Sequence, residues 1–265
     1  MKVFSSLRAF DVSSPFPPLA IVAALREELR AVHPLLRQAK LVRCGSFRYW
    51  TAAISGRSVV VAKTGIGREN ARERCAALID AARPSLLIAT GFAGGLRAGL
   101  SPGDILVANG VCEVEPGVAW TIRRGFVDAA ARLEVPGQRG WEGRLLTVGK
   151  VLSSRAEKEK LGEALSADAV DMESSSILKV ASEKGVPVVC VRAILDELDF
   201  DLPLDFGKMV GPDGGLRVLG ALEAFAERPR GIFKLFELRS RALRAIKSLG
   251  IFLPGLLDAL EREGA

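Results

Sequence analysis

A succession of short apolar runs constrains this chain more than any other feature. Residues 19–25, 86–90, 103–108, 145–148 and 186–191 each hold at most one charge, and runs of that length read as buried strands. Residues 47–54 and 58–62 read as a strand pair turned at Ser55-Gly56-Arg57. Helical stretches lie between the runs. One opens at Arg26-Glu27-Glu28, with acids at the positive end of its macrodipole. A second covers about 68–81, with Ala71, Cys75, Leu78 and Ile79 on one face and Pro84 beyond it. Weaker signal marks 125–133, a Ser154/Glu157 cap opens 154–165, and Ile177, Val180 and Ala181 mark another helix. Strands alternating with helices predict an α/β fold, its mostly parallel sheet covered on both faces.

Composition narrows the chemistry. A chain of 265 residues, 49% of them hydrophobic, suits a single large core. His33 is its one histidine, which argues against a Ser-His-Asp triad or a histidine-rich metal site and leaves acid–base work to carboxylates. His33 itself, among Val32, Pro34, Leu35 and Leu36, reads as structural. Cys44, Cys75, Cys112 and Cys190 are scattered without a Cys-x-x-Cys pair, so neither a zinc ribbon nor a disulfide frame is expected, and a reducing cytosol fits. No metal is expected. No apolar run approaches the ~18 residues that span a bilayer. Residues 1–18 read as an irregular arm without a signal pattern.

Two carboxylate-bearing stretches stand at element boundaries: Ala169-Val170-Asp171-Met172-Glu173-Ser174 and Val191-Arg192-Ala193-Ile194-Leu195-Asp196. Side chains at the C-terminal edge of parallel strands face the ligand crevice, so Asp196 is expected on its rim and Glu173 can share it. Solvated helix-end charges are the plainer reading of these acids, as first-turn placement is for Glu28. Gly65-Ile66-Gly67 and Gly91-Phe92-Ala93-Gly94-Gly95 each follow an expected strand. They suit either tight strand-to-helix turns or backbone open to an anion or a ribose oxygen, and neither completes a dinucleotide fingerprint.

Taken in order, these pieces resemble the nucleoside phosphorylase and nucleosidase superfamily, particularly its methylthioadenosine/adenosylhomocysteine nucleosidase type. The matching segments are Ile21-Val22-Ala23-Ala24-Leu25-Arg26-Glu27-Glu28, Lys63-Thr64-Gly65-Ile66-Gly67, Thr90-Gly91-Phe92-Ala93-Gly94-Gly95-Leu96, Gly103-Asp104-Ile105, Asp171-Met172-Glu173 and Val191-Arg192-Ala193-Ile194-Leu195-Asp196. The resemblance implies a mixed, partly closed sheet flanked by helices over residues 19–227, with residues 228–265 as a C-terminal extension. It implies Asp196 as the acid that protonates the leaving purine at N7, Glu28 as the base that orients water, and Arg192 near that nucleophile. Glu173 would grip the ribose hydroxyls with Met172 under the sugar, while Gly65, Gly67, Phe92, Ala93, Gly94, Leu152 and Asp171 would surround the nucleophile or the base. No cofactor is implied, and phosphate is a candidate co-substrate, with Arg26 or Arg68 as substitute contacts. A homodimer is expected on the same analogy.

The chain also departs from the pattern. Phe92 and Leu195 stand where serines are usual, and Leu152 where an aromatic stacks on the base; Ala89 and Phe92 take the places of a phosphate-binding arginine and serine. Hopanoid-associated phosphorylase-like proteins are similar in the Gly-Phe-Ala-Gly-Gly loop, in Asp171-Met172-Glu173-Ser174 and in a basic C-terminal extension. That likeness implies a lipid-linked 5′-modified adenosine as substrate. The alternatives are a soluble methylthioadenosine/adenosylhomocysteine nucleosidase and a non-catalytic nucleoside-binding module.

Between Arg228 and Gly250 the extension holds Arg228, Arg230, Lys234, Arg239, Arg241, Arg244 and Lys247 against Glu237 alone, which matches the whole net charge of +6. As a helix it lines up Leu235, Leu238, Ala242, Ile246 and Leu249, widened by Phe236 and Leu243, opposite Lys234, Arg241, Arg244 and Lys247. Residues 232–260 suit peripheral attachment to an anionic inner-membrane surface. They suit equally a helix packed on its own domain or on a dimer partner. Nucleic acid is not an expected partner.

Overall fold

The computed structural model describes residues 16–36, 38–54, 56–115, 117–202 and 230–263. Most of the N-terminal arm and Arg228 therefore lie outside the described residues. The chain runs β1 (Leu19–Ala23), α1 (Arg26–Leu29), a 3₁₀ turn (His33–Leu36), β2 (Lys40–Cys44), β3 (Phe47–Ile54), β4 (Arg57–Lys63), α2 (Arg68–Ala82), β5 (Leu86–Gly95) and β6 (Ile105–Glu113). It continues through β7 (Ala119–Thr121), α3 (Arg124–Ala131), β8 (Gly140–Thr147), α4 (Arg155–Leu165), β9 (Ala169–Asp171), α5 (Ser174–Glu183), β10 (Val188–Asp196) and α6 (Arg230–Arg262).

β5 organises the sheet. It lies between β1 and β10, parallel to both, and β1 is parallel to β4. All five residues of β1 are buried, as expected for a parallel strand covered on both faces. β5 outlasts β1: Leu86 to Ala89 pair with β1, whereas Gly94 and Gly95 pair with β9. The sheet thereby closes on itself through β10, β6, β8, β9 and β5, while β1, β4, β3 and β2 extend from β5 as an open flap. This is the mixed, partly closed α/β sheet expected above.

Several expectations shift. Gly91 to Gly95 continue the strand instead of turning: Gly91 to Ala93 pair with Arg192 to Ile194 of β10, and Gly94 pairs with Asp196. Val186 and Pro187 precede β10, and Asp196 is its last residue, just past a break in register after Ile194. Asp104 belongs to the framework: its carboxylate accepts from the Ser101 and Arg139 amides and from Trp141 Nε1, each at 3.0 Å. His33 is exposed on the 3₁₀ turn.

α6 packs on β10 and α3, and Ala245, Leu249, Leu253, Leu256 and Leu260 join the main core at 0% exposure. Its inner face differs from the expected stripe. Arg241 points inward, whereas Phe236 and Leu243 are exposed.

Candidate active site

The parallel strands β1, β4, β5 and β10 end on one side of the sheet, and β9 runs back antiparallel from Gly95 to the same rim. Residues 24–28, 64–67, 91–95, 171–173 and 196 therefore meet there. One cavity is lined by Glu28, Glu173 and Asp196 together with Phe92, Ala93, Gly94, Leu152, Asp171 and Met172. Its other walls are mostly apolar and include Ile66, Val148, Val151, Val170, Leu195 and Leu202.

Each acid has its own support. Glu28 reaches back across the single turn of α1 to the Leu25 amide, and its other oxygen accepts from Phe92 N–H, both at 2.8 Å. Burial raises its pKa, against the lowering pull of Arg192 and these amides. Glu173 precedes α5 and accepts from Gly67 N–H at 2.7 Å. Burial, and then repulsion from Asp171, push its carboxyl up to about 8. Asp196 is 3% exposed; burial raises its pKa while Lys158 opposes the shift.

Glycines make room for these acids. At Gly91, with φ +153°, a Cβ would lie 2.6 Å from Glu28 Oε1 and 3.1 Å from Arg192 Nη1. A Cβ at Gly94 would lie 3.2 Å from Asp196 Oδ2. The two glycines thus admit the protein's own carboxylates to the cavity wall, a use that the sequence reading did not consider.

Arg192 stands behind that wall. Its Nε and Nη2 donate to Asp171 Oδ2 at 3.0 and 2.7 Å, and Nη2 also donates to Ser174 Oγ at 2.7 Å. Asp171 further accepts from Thr147 Oγ1 at 2.8 Å and Ser174 Oγ at 2.6 Å, so its oxygens are occupied by protein donors. Gly65 N–H bonds the Ala24 carbonyl at 3.1 Å and thereby ties the 64–67 turn to the end of β1.

Lys158 is the lining residue that sequence reading missed. It is 0% exposed, and its ammonium donates to Asp196 Oδ2, to the Glu197 carbonyl at 2.8 Å and to the Phe200 carbonyl at 3.0 Å. Within Arg155-Ala156-Glu157-Lys158-Glu159-Lys160 it looks like one more solvated charge. The available signal was its helical spacing to Leu161, Gly162 and Leu165, which puts Lys158 on the inward face. Arg68, a candidate phosphate contact, bonds the Thr147 carbonyl at 3.2 Å and Glu113 at 3.3 Å; Arg26 is exposed. Among the described residues, no cluster of His, Cys, Asp and Glu could hold a metal ion.

A family model described as Phosphorylase superfamily matches residues 18–213. The 5′-methylthioadenosine/S-adenosylhomocysteine nucleosidase of Exiguobacterium sp. is 27% identical over 210 residues, covering 72% of this chain and 90% of the relative. The enzyme of the same name from Staphylococcus aureus strain MRSA252 is 27% identical over 205 residues, covering 71% and 90%. Among solved structures, the nucleosidase of Neisseria meningitidis in complex with methylthio-immucillin-A has a TM-score of 0.68 at 20% identity, covering 90% of this chain and 99% of that one. Futalosine hydrolase of Helicobacter pylori has a TM-score of 0.71 at 18% identity, covering 91% and 97%. These two structures speak for the fold alone.

Proposed function

This chain belongs to the Phosphorylase superfamily of nucleoside phosphorylases and nucleosidases, and we propose that it hydrolyses the N-ribosidic bond of a 5′-modified adenosine, releasing adenine. The observation that carries this reading is the convergence of Glu28, Glu173 and Asp196, distant in sequence, on one largely apolar cavity.

Cleavage of such a bond passes through an oxocarbenium-like sugar, so the base leaves more readily once protonated. Asp196 gives its proton to purine N7 and keeps the electron pair as carboxylate. The C1′–N9 bond breaks with its pair going to adenine. Water then adds to C1′ and loses its proton to Glu28, while Glu173 holds the ribose hydroxyls over Met172. Burial suits these assignments, because it holds the proton on Asp196 at higher pH than in water and strengthens Glu28 as a base.

Hydrolysis is favoured over phosphorolysis by the lining charges. Among the described residues, Lys158 is the one cation on the cavity wall, and its ammonium is bonded to Asp196 and two carbonyls. A phosphate dianion would meet the Glu28 carboxylate without a free cation to offset the repulsion.

An apolar, lipid-like 5′ substituent is supported by one side of the cavity. Val151, Leu195 and Leu202 line it and also pack with Phe200 and with Leu238 of α6, giving a continuous greasy surface. On the solvent side of α6, Phe236, Leu243 and Ile251 are exposed near the exposed bases Arg239, Arg244 and Lys247, a pattern suited to peripheral docking on anionic lipid. Among the described residues, no helix is long and apolar enough to cross a membrane.

Adenine release from 5′-methylthioadenosine and from a long-chain 5′-alkylthioadenosine, each with and without phosphate, tests the proposal. The expected result is phosphate-independent release of free sugar, with the higher kcat/KM for the long chain. Strict phosphate dependence would overturn hydrolysis, and a preference for the short substrate would overturn the apolar 5′ group.

A further inference from the structure

Lys158 and Arg241 form an assembly that the proposed chemistry leaves unexplained. A fully buried lysine is rare unless paired, because stripping water from an ammonium is costly. Here all three ammonium donors are used, on Asp196 Oδ2 and on the Glu197 and Phe200 carbonyls. The turn bearing those carbonyls is gripped from outside by α6. Arg241 pairs with Glu197 and, at 2.7 Å, with Glu237, while its guanidinium lies 3.9 Å from the centre of the Phe200 ring. The 33-residue helix is thus linked to the cavity acid through two salt bridges and one turn.

We infer that Lys158 is a positioning residue for the reaction: its ammonium holds Asp196 at the cavity wall and stabilises the carboxylate left when the proton passes to the purine, while Arg241 fixes the turn that orients Lys158. This rests on reading Asp196 as the acid. Burial alone would keep the proton on Asp196 and resist forming a bare carboxylate. A fixed cation beside it lowers the barrier to proton transfer, because the charge appears next to a partner already in place. The charged groups facing Asp196 are Lys158 from α4, Glu197 from its own strand end and Arg241 from α6, with Glu28 and Glu173 on the same cavity.

The test follows the Asp196 proton directly. Infrared spectra taken across pH contain a protonated-carboxyl band assigned by its loss in Asp196→Asn, and maximal adenine release from 5′-methylthioadenosine is measured alongside. Lys158→Met is expected to move the band's midpoint up by about 1 pH unit or more and to lower the maximal rate about 100-fold. Lys158→Arg, which keeps the charge, is expected to return the midpoint towards wild type. Arg241→Gln, which removes no direct contact of Asp196, should move it in the same direction by less, and this variant carries the test if Lys158→Met does not fold. A purely structural Lys158 would lower the rate and leave the midpoint in place; that outcome, or a downward shift, overturns the inference. Full activity in Asp196→Asn would overturn the acid assignment itself, whereas an inactive Asp196→Asn with an unmoved midpoint would sink only the role of Lys158.

Discussion

Gly91 shows how narrowly the cavity fits its acids. A methyl group there would sit 2.6 Å from Glu28 Oε1 on backbone at φ +153°, so either the carboxylate or the strand must move. Gly91→Ala is therefore expected to lower kcat by about 100-fold through displacement of Glu28, with a milder loss for Gly94→Ala, whose nearest contact is 3.2 Å. Steady-state kinetics on both variants checks the order. Glu173 carries a pH-dependent strain. Its native carboxyl titrates at about 8 against an ordinary 4.5, so the folded form binds the proton more tightly than the unfolded form. Its stabilising contribution is complete below about pH 4.5 and is lost as pH rises towards 8, at up to about 1.36 kcal/mol per unit. Glu173→Gln is expected to flatten that loss. Denaturant titrations at pH 5 and pH 8 should show the variant gaining on wild type at the higher pH.

Elements differ in how plainly the sequence announces them. β1, β4 and the first half of β5 are legible because strands buried on both faces must be apolar throughout. β7 and β9, three residues each, carry no pattern of their own, since their existence depends on the free edges of β6 and β5. β2 is mostly exposed and gives little periodicity. Site residues follow the same rule. Glu28, Glu173 and Asp196 were legible from an ordered set of motifs, whereas Lys158 was hidden because its role comes from the packing of α4 against the 196–200 segment. For α6 the amphipathic character was legible, but the face that meets β10 was not, and Arg241 was assigned to the wrong side. Leu249→Ala tests that packing. With the side chain fully buried, it should cost about 2–5 kcal/mol in chemical unfolding, whereas a helix free in solution would lose far less.

Across the whole molecule, the acid-lined cavity is joined to a helix that is half core and half exposed basic surface. If the exposed side of α6 docks on lipid, the protein should float with anionic vesicles and not with neutral ones, each engaged base adding about 1 kcal/mol. Leu243→Glu should abolish flotation and leave turnover of 5′-methylthioadenosine unchanged, because Leu243 faces away from the core. The most direct measurement is a crystal structure of the Asp196→Asn variant with a 5′-alkylthioadenosine bound. The expected arrangement has purine N7 within about 3 Å of residue 196, the ribose hydroxyls on Glu173, and the alkyl chain running past Leu202 towards Leu238. A base seated away from residue 196, or a sugar out of reach of Glu28 and Glu173, would contradict it.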